Sequence, residues 1–213
     1  MRILNSELQF PPVELAGREG LLCIGGDLSP ERLLLAYQNG IFPWYSEGDP
    51  ICWWSPPERM VVFPHQYSPP KNLRNVLNRK LFNVTFNREF ERVIEGCRYT
   101  QRNGQDGTWL TQEMHDAYLG MYRLGHAKSV EVWQGEELVG GLYGLDMNGV
   151  FCGESMFSLV SNASKYAFAV LIDKLRAENY RLLDCQVHNH YLESLGAKTI
   201  PRRDFIRILK NSG

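Results

Sequence analysis

The 213-residue sequence has no long apolar run, no C-x-x-C pair, no G-x-S-x-G and no internal repeat. Without a run of about eighteen apolar residues, no membrane-spanning helix is expected. The five cysteines, Cys23, Cys52, Cys97, Cys152 and Cys185, are odd in number and widely spaced. That speaks against a disulfide framework or a zinc ribbon and suits a reducing compartment. The opening MRILNSELQFPPVEL lacks the apolar segment of a secretion signal, so a cytoplasmic location is expected. The missing nucleophile elbow leaves Ser-His-Asp catalysis without support. Acidic residues are missing locally: Arg59, Lys71, Arg74, Arg79, Lys80 and Arg88 follow one another with no Asp or Glu between them, although the net charge is only −1. Such a stretch can meet phosphates, or it can be a solvated face whose partners come from elsewhere in the fold.

What is present is concentrated. GIFPWYSEGDPICWWSPP, residues 40–57, holds Phe42, Trp44, Tyr45, Trp53 and Trp54 between prolines. Prolines fix φ and remove amide donors, so this segment reads as turns and short extended pieces. Its rings either plug a core or make a wall for a ligand.

The first sixty or so residues are rich in turns and carry one clear helix, SPERLLLAYQNG, with Ser29 as N-cap, Pro30 at the first helical position and Gly40 as its stop. HQYSPPKNLRN reads as a linker into a basic helix from Asn72 to Lys80. The division expected is a small N-terminal domain over 1–64 and a larger one over 65–213. The larger part reads as a strand (FNVTFN), two helices (REFERVIEGCRY and TQEMHDAYLGMYRLG), and three antiparallel strands over 129–133, 137–145 and 150–156. A long helix (NASKYAFAVLIDKLRAEN), a buried strand (YRLLDCQV) and a short helix closed by Gly196 follow. This is an α+β design, and it resembles the GCN5-related N-acetyltransferase fold. That fold's glycine loop, which holds a pyrophosphate before the long helix, is missing, because no glycine lies between Phe157 and Lys165.

Candidate chemistry gathers at a few places. Asp184 and Gln186, two apart on LLDCQV, share one face of a strand, as a structural pair or as a pair that polarises a nucleophile. On FCGESMFS strict alternation puts Cys152, Glu154 and Met156 on one face, with Glu154 either a paired core charge or the polar anchor of an apolar pocket. Trp109, in the loop DGTWLT, meets a ligand or plugs a core. His188 and His190 stand two apart with no third ligand at a defined spacing, so no metal is expected.

The blocks GGDLSPERLLLAYQNGIFPWYSEGDPICWWSPPERMVVFP, GTWLT, GHAKSVEVWQGEELVGGLYG, FCGESMFS, NASK and LLDCQVHNHYLESLGA with IPRRDF, taken together, resemble the leucyl/phenylalanyl-tRNA–protein transferase family from about Gly20 onward. The sequence ends soon after PRRDF, so a C-terminal extension is expected to be lacking. The resemblance implies an enzyme that moves Leu or Phe, less readily Met, from aminoacyl-tRNA to a protein whose N-terminus is Arg or Lys, marking it for degradation by the N-degron pathway. It implies a small N-terminal domain before an acetyltransferase-like one, no metal and no organic cofactor, and a monomer is expected. In the mechanism it carries, Asp184 attracts a proton of the acceptor amine through Gln186. Leu142, Phe151, Met156, Phe168 and Leu171 line an apolar slot, with Glu154 its polar member. Trp44 and Trp109 lie near the 3′-adenosine and Asn189 near the reacting amine, while Trp53 and Trp54 are core. Lys71, Arg74, Arg79 and Lys80 become candidates for the tRNA backbone. An acyl-CoA-dependent transferase and a silent tRNA-binding module are the alternative readings, with a receptor for N-terminal Arg or Lys a third.

Overall fold

The computed structural model describes residues 2–100, 110–147 and 149–211. A small sheet comes first in the chain: β1 (Ile3–Leu4), β2 (Leu21–Gly25), β3 (Phe42–Pro43) and β4 (Cys52–Trp54), in the order β1-β2-β4-β3, with helix α1 (Pro30–Gln38) between β2 and β3. There follow β5 (Glu58–Val62), α2 (Lys71–Asn78), β6 (Asn83–Phe86), α3 (Phe90–Tyr99), α4 (Gln112–Arg123), β7 (Ala127–Gln134), β8 (Glu137–Asp146) and β9 (Val150–Ser158). The chain closes with α5 (Ala163–Ala177), β10 (Leu182–Asp184), α6 (His190–Ser194), β11 (Lys198–Pro201) and α7 (Arg202–Lys210). These strands form a seven-stranded sheet in the order β11-β5-β10-β9-β8-β7-β6. The pair β9/β10 is parallel and the other pairs are antiparallel. The architecture is therefore mixed α/β, with the meander β7-β8-β9 and the α5 crossover that the sequence pattern implies.

The pleat divides the core into two layers. Val61 and Leu182 join α3, α4 and α7 on one face, while Met60, Val62 and Leu183 join α2 and α5 on the other. Helix α5 buries Ala163, Ala167, Phe168, Leu171 and Leu175 along the helical period. Helix α7, left unassigned by pattern, starts after Pro201 and buries Phe205 and Leu209, one turn apart. Strand β5 lies inside the large sheet, between β11 and β10, although it precedes residue 65. Ser29 does occupy the N-cap position of α1, but its hydroxyl makes no capping bond; its amide donates to Asp27 Oδ1 at 2.9 Å instead.

One irregularity governs the site. Tyr143 pairs with Ser155 and Gly144 with Gly153, which leaves Glu154 as an extra residue on β9. This is a β-bulge, and it reverses the alternation of side chains beyond it. Cys152 and Phe157 accordingly fall in one core layer, Phe151 and Met156 in the other. The expectation that Cys152, Glu154 and Met156 share a face is overturned by that one inserted residue. The bulge also requires a glycine opposite it. A Cβ on Gly144 would stand 2.2 Å from the Cys152 carbonyl oxygen and 2.5 Å from the Phe151 ring. Gly144→Ala is expected to cost about 1–3 kcal/mol, the usual range for overpacking, read as a lower urea midpoint.

Candidate active site

The parallel pair holds for three residues, Leu182–Asp184 against Val150–Cys152, and then parts. β9 runs on to Ser158, while the chain after β10 turns away through Gln186, whose φ of 64° is left-handed. Between them lies a cavity of about 960 Å³, lined from Gly153 to Ser158 on one side and from Cys185 to Asn189 on the other. Its apolar end is made by Leu142, Met156, Phe168 and Leu171. Of the residues the sequence assigns to a slot, Phe151 is the exception: it is buried and does not line the cavity. Trp44 lines the cavity and is 41% exposed. Its ring lies 5.9 Å from that of Trp54, whose Nε1 donates to the Trp44 carbonyl at 2.7 Å. Trp53 is fully buried, as expected, and donates to the Gly25 carbonyl. Trp54 is half-buried: it packs against the edge of the core and also pairs with Trp44. Trp109 lies outside the described residues.

Asp184 is completely buried and does not line the cavity. Its partner is Arg59: Nε donates to Oδ1 at 2.8 Å and Nη2 to Oδ2 at 2.7 Å. The guanidinium is itself held between the rings of Phe42 and Phe205, at 4.7 and 4.5 Å, and Nη1 donates to the Gly40 carbonyl at 3.0 Å. Gly40 has φ of 72°, a left-handed conformation that favours glycine, and a Cβ there would also push aside the end of the Ile206 side chain, 2.3 Å away. Asp184 Oδ1 also accepts the Gln186 amide N–H at 2.9 Å. The carboxylate thus anchors the turn that presents Gln186. It reaches Gln186 through the backbone of a turn, since the strand ends at Asp184. Arg59 leaves the group of uncompensated cations, because a strand residue early in the chain meets a carboxylate 125 residues later.

The Gln186 side chain points to Glu154: Nε2 donates to Oε1 at 2.8 Å. Two tyrosines that sequence reasoning did not single out complete the group. Tyr37 of α1 donates to Glu154 Oε1 at 2.8 Å, Tyr118 of α4 to Oε2 at 2.9 Å, and the two hydroxyls lie 2.6 Å apart. Both tyrosines sit on apolar helix faces, where a ring reads as core and the hydroxyl leaves no trace in the pattern. The available signal was the carboxyl itself, since a Glu among apolar neighbours demands donors. Burial, outweighing the hydrogen bonds that favour the ionised form, pushes the Glu154 carboxyl up to about 7. Burial and then Glu154's charge hold both phenols well above their usual range. Burial likewise raises the Cys185 thiol, which argues against a nucleophilic thiolate in the cavity.

At the rim, Asn189 lines the cavity, but its Oδ1 caps α6, accepting from the Tyr191 and Leu192 amides at 2.8 and 3.3 Å. His188 and His190 each contact Glu193 Oε2 at 3.3 Å. Glu193 is a third candidate ligand that spacing did not supply, but all three side chains are exposed and the contacts are ordinary hydrogen bonds. Lys71 and Arg74 on α2, with Arg79 and Lys80 beyond it, are all exposed, and among the described residues none forms an ion pair.

Residues 61–210 match the family model described as leucyl/phenylalanyl-tRNA protein transferase, and residues 26–57 match the model of that enzyme's N-terminal domain. The chain is 57% identical over 211 residues to the leucyl/phenylalanyl-tRNA–protein transferase of Flavobacterium johnsoniae, covering 99% of this chain and 100% of the relative. It is 56% identical to that of Flavobacterium psychrophilum, covering 99% and 100%. Among solved structures, that of L-PGS from Bacillus licheniformis superposes with a TM-score of 0.44 at 16% identity, over 79% of this chain and 54% of that one, a likeness too slight to add to the fold described above. Among the described residues, no helix is long and apolar enough to cross a membrane.

Proposed function

The chain belongs to the leucyl/phenylalanyl-tRNA–protein transferase family, and from that premise we propose that it takes Leu or Phe, and less readily Met, from aminoacyl-tRNA and joins it to proteins that begin with Arg or Lys. It is an aminoacyltransferase, moving an amino acid from tRNA to a protein N-terminus. The observation that carries the finer reading is the cavity between β9 and β10. It joins an apolar end, a polar wall of Glu154 and Gln186, and an exposed tryptophan at one edge. A volume of about 960 Å³ lies at the upper end for a site that holds one small ligand, and suits two reactants meeting. In this reading the side chain of the transferred residue enters between Leu142, Met156, Phe168 and Leu171, with Phe151 supporting them from beneath. Leu, Phe and Met lack a branch at Cβ, so they slide in where Val and Ile do not. The terminal adenosine stacks on Trp44, at on the order of 1–3 kcal/mol per base. The ester is already activated, so holding amine and carbonyl together supplies much of the acceleration.

The site residues divide their work. Asp184 fixes Gln186, and Gln186 orients the polar wall. Asn189 holds α6 at the rim near the amine. Lys71, Arg74, Arg79 and Lys80 meet the tRNA backbone. The large sheet with its α5 crossover supports an acetyltransferase-like catalytic domain, preceded by a small N-terminal one. The place of β5 in the large sheet supports ending the small domain near residue 57, earlier than the sequence division at 64. The protein works as a cytoplasmic monomer and marks its acceptors for N-degron degradation. The test is transfer of labelled Leu from Leu-tRNA to an Arg-initial peptide, with an Ala-initial peptide as control. Label is expected in the Arg peptide alone. Bound tRNA without transfer would support a silent module, and coenzyme A binding with neither would support an acyl-CoA enzyme.

A further inference from the structure

Amide formation from an ammonium releases a proton, and Asp184, sealed behind Gln186 and bonded at both oxygens to Arg59, has no surface in the cavity to take it. Among the described residues, Glu154 is the carboxylate that lines the cavity. Its bonds with the two tyrosines close a ring that runs through both carboxyl oxygens, with hydrogen-bonding sides of 2.6 Å between the phenols, 2.8 Å from Tyr37 to Oε1 and 2.9 Å from Tyr118 to Oε2. Each side needs one hydrogen, and the phenols bring only two. With Glu154 ionised, both phenols turn to it, and the 2.6 Å contact between them holds two oxygens and no hydrogen. With Glu154 protonated, the carboxyl donates to Tyr37, Tyr37 to Tyr118 and Tyr118 back to the carboxyl, and every side is filled. The Gln186 amide can turn either its hydrogens or its oxygen to the carboxyl, so it serves both states. Glu154 is therefore built to hold a proton and to be able to lose it.

We infer that Glu154 accepts the proton of the acceptor's α-ammonium, and that Tyr37 and Tyr118 are the positioning residues that set when it can. This rests on the aminoacyl-transfer reading. Ionised Glu154 takes one N–H proton. The freed lone pair forms the N–C bond at the ester carbonyl, and the C–O bond to the ribose 3′ oxygen breaks with its electron pair on oxygen. A second N–H proton passes to that oxygen, the third stays on the amide, and Glu154 then releases its proton to solvent through the cavity. Burial pushes the carboxyl toward the pH range where an α-ammonium, ordinarily near 8, also titrates, and such matching suits a general base. The groups that face Glu154 are Tyr37 from α1, Tyr118 from α4, Gln186 after β10, Cys152 on its own strand, and Asp184, whose charge Arg59 offsets.

The sign follows from the direction of the shift. The carboxyl is neutral below about 7 and ionised above it, so single-turnover transfer by the wild type should rise through that range and level off or fall as the acceptor amine loses its own proton. Glu154→Gln should lose that rising limb and about 100-fold of the rate at pH 8, with Leu-tRNA affinity unchanged within a few fold. Tyr37→Phe and Tyr118→Phe each remove a donor to the ionised form, so each should move the limb to higher pH at an unchanged affinity for Leu-tRNA. A purely structural tyrosine would not move it. In the free enzyme, the infrared carbonyl band of a protonated carboxyl should titrate near neutrality, vanish in Glu154→Gln and shift in the phenylalanine variants. A band that titrates in the ordinary carboxylate range, or a limb that survives unmoved in Glu154→Gln, overturns the inference. A band at neutrality in a wild type that transfers nothing to the Arg peptide would remove the transfer reading, and the role of Glu154 as base with it.

Discussion

Arg59→Ala and Asp184→Ala are expected to fail alike: each should lower urea stability by about 3–5 kcal/mol and transfer by at least 100-fold, at nearly unchanged tRNA affinity. The reason is the isolation of the pair. The Arg59 side chain is 2% exposed and that of Asp184 is wholly buried. Removing either partner leaves a charge in a setting of Phe42, Phe205 and Val61 with no counter-ion. Against a total stability of roughly 5–15 kcal/mol, that is a large share. Transfer falls in both variants for one cause, since the turn carrying Gln186 is tied to Asp184 Oδ1. A double substitution, Arg59→Met with Asp184→Leu, should recover much of the stability, as buried pairs replaced by apolar residues often do, without recovering transfer. The measurements are urea midpoints and single-turnover rates on the same preparations. An Arg59→Ala enzyme with normal turnover, beside a dead Asp184→Ala enzyme, would return Asp184 to the role of base.

Affinity for tRNA should fall about 50- to 150-fold when salt rises from about 50 to 200 mM, if Lys71, Arg74, Arg79 and Lys80 each meet one phosphate. The arithmetic is a slope of about −0.7 to −0.9 per neutralised phosphate on a log–log plot, four contacts, and a fourfold change in salt. All four side chains are exposed, so their ion atmosphere is free to be exchanged for phosphate. Replacing all four with Ala should flatten the slope to about one or less. Their exposed places on a helix packed through Leu73 and in the turn just after it predict little loss of stability, so weakened binding would not reflect unfolding. A slope that stays steep in the quadruple variant would move the tRNA contact to another face.

Legibility in the sequence followed the range of the interactions. The helices over 71–78, 90–99, 112–123 and 163–177 were readable because their apolar period is local. The meander was readable from its turns. Asp184, Gln186 and Glu154 were singled out as polar residues on apolar strands, and the structure brings the three together. Their partners were not readable. Arg59 sits in a run of cations and looked free, because its carboxylate arrives from the far end of the chain. Tyr37 and Tyr118 look like core until the fold sets their hydroxyls against one carboxyl. The bulge at Glu154 was hidden because strict alternation is the default for a strand, and the sequence carries no mark of the single residue that breaks it. The small sheet escaped for a related reason: its strands are two to five residues long and show no period.

That inserted residue lets one strand speak to two audiences. Before it, β9 turns Phe151 toward the slot layer and Cys152 toward the tyrosines; after it, Met156 faces the slot and Phe157 the tyrosine layer. Glu154 stands at the change of phase. A lineage that lost Glu154 itself would restore strict alternation and leave Met156 and Phe157 in the layers they now occupy. The carboxyl thus stands on the one residue of the strand that the pairing does not need, and variation in which amino acid is transferred can be written in side-chain size along the slot while both layers keep their tenants.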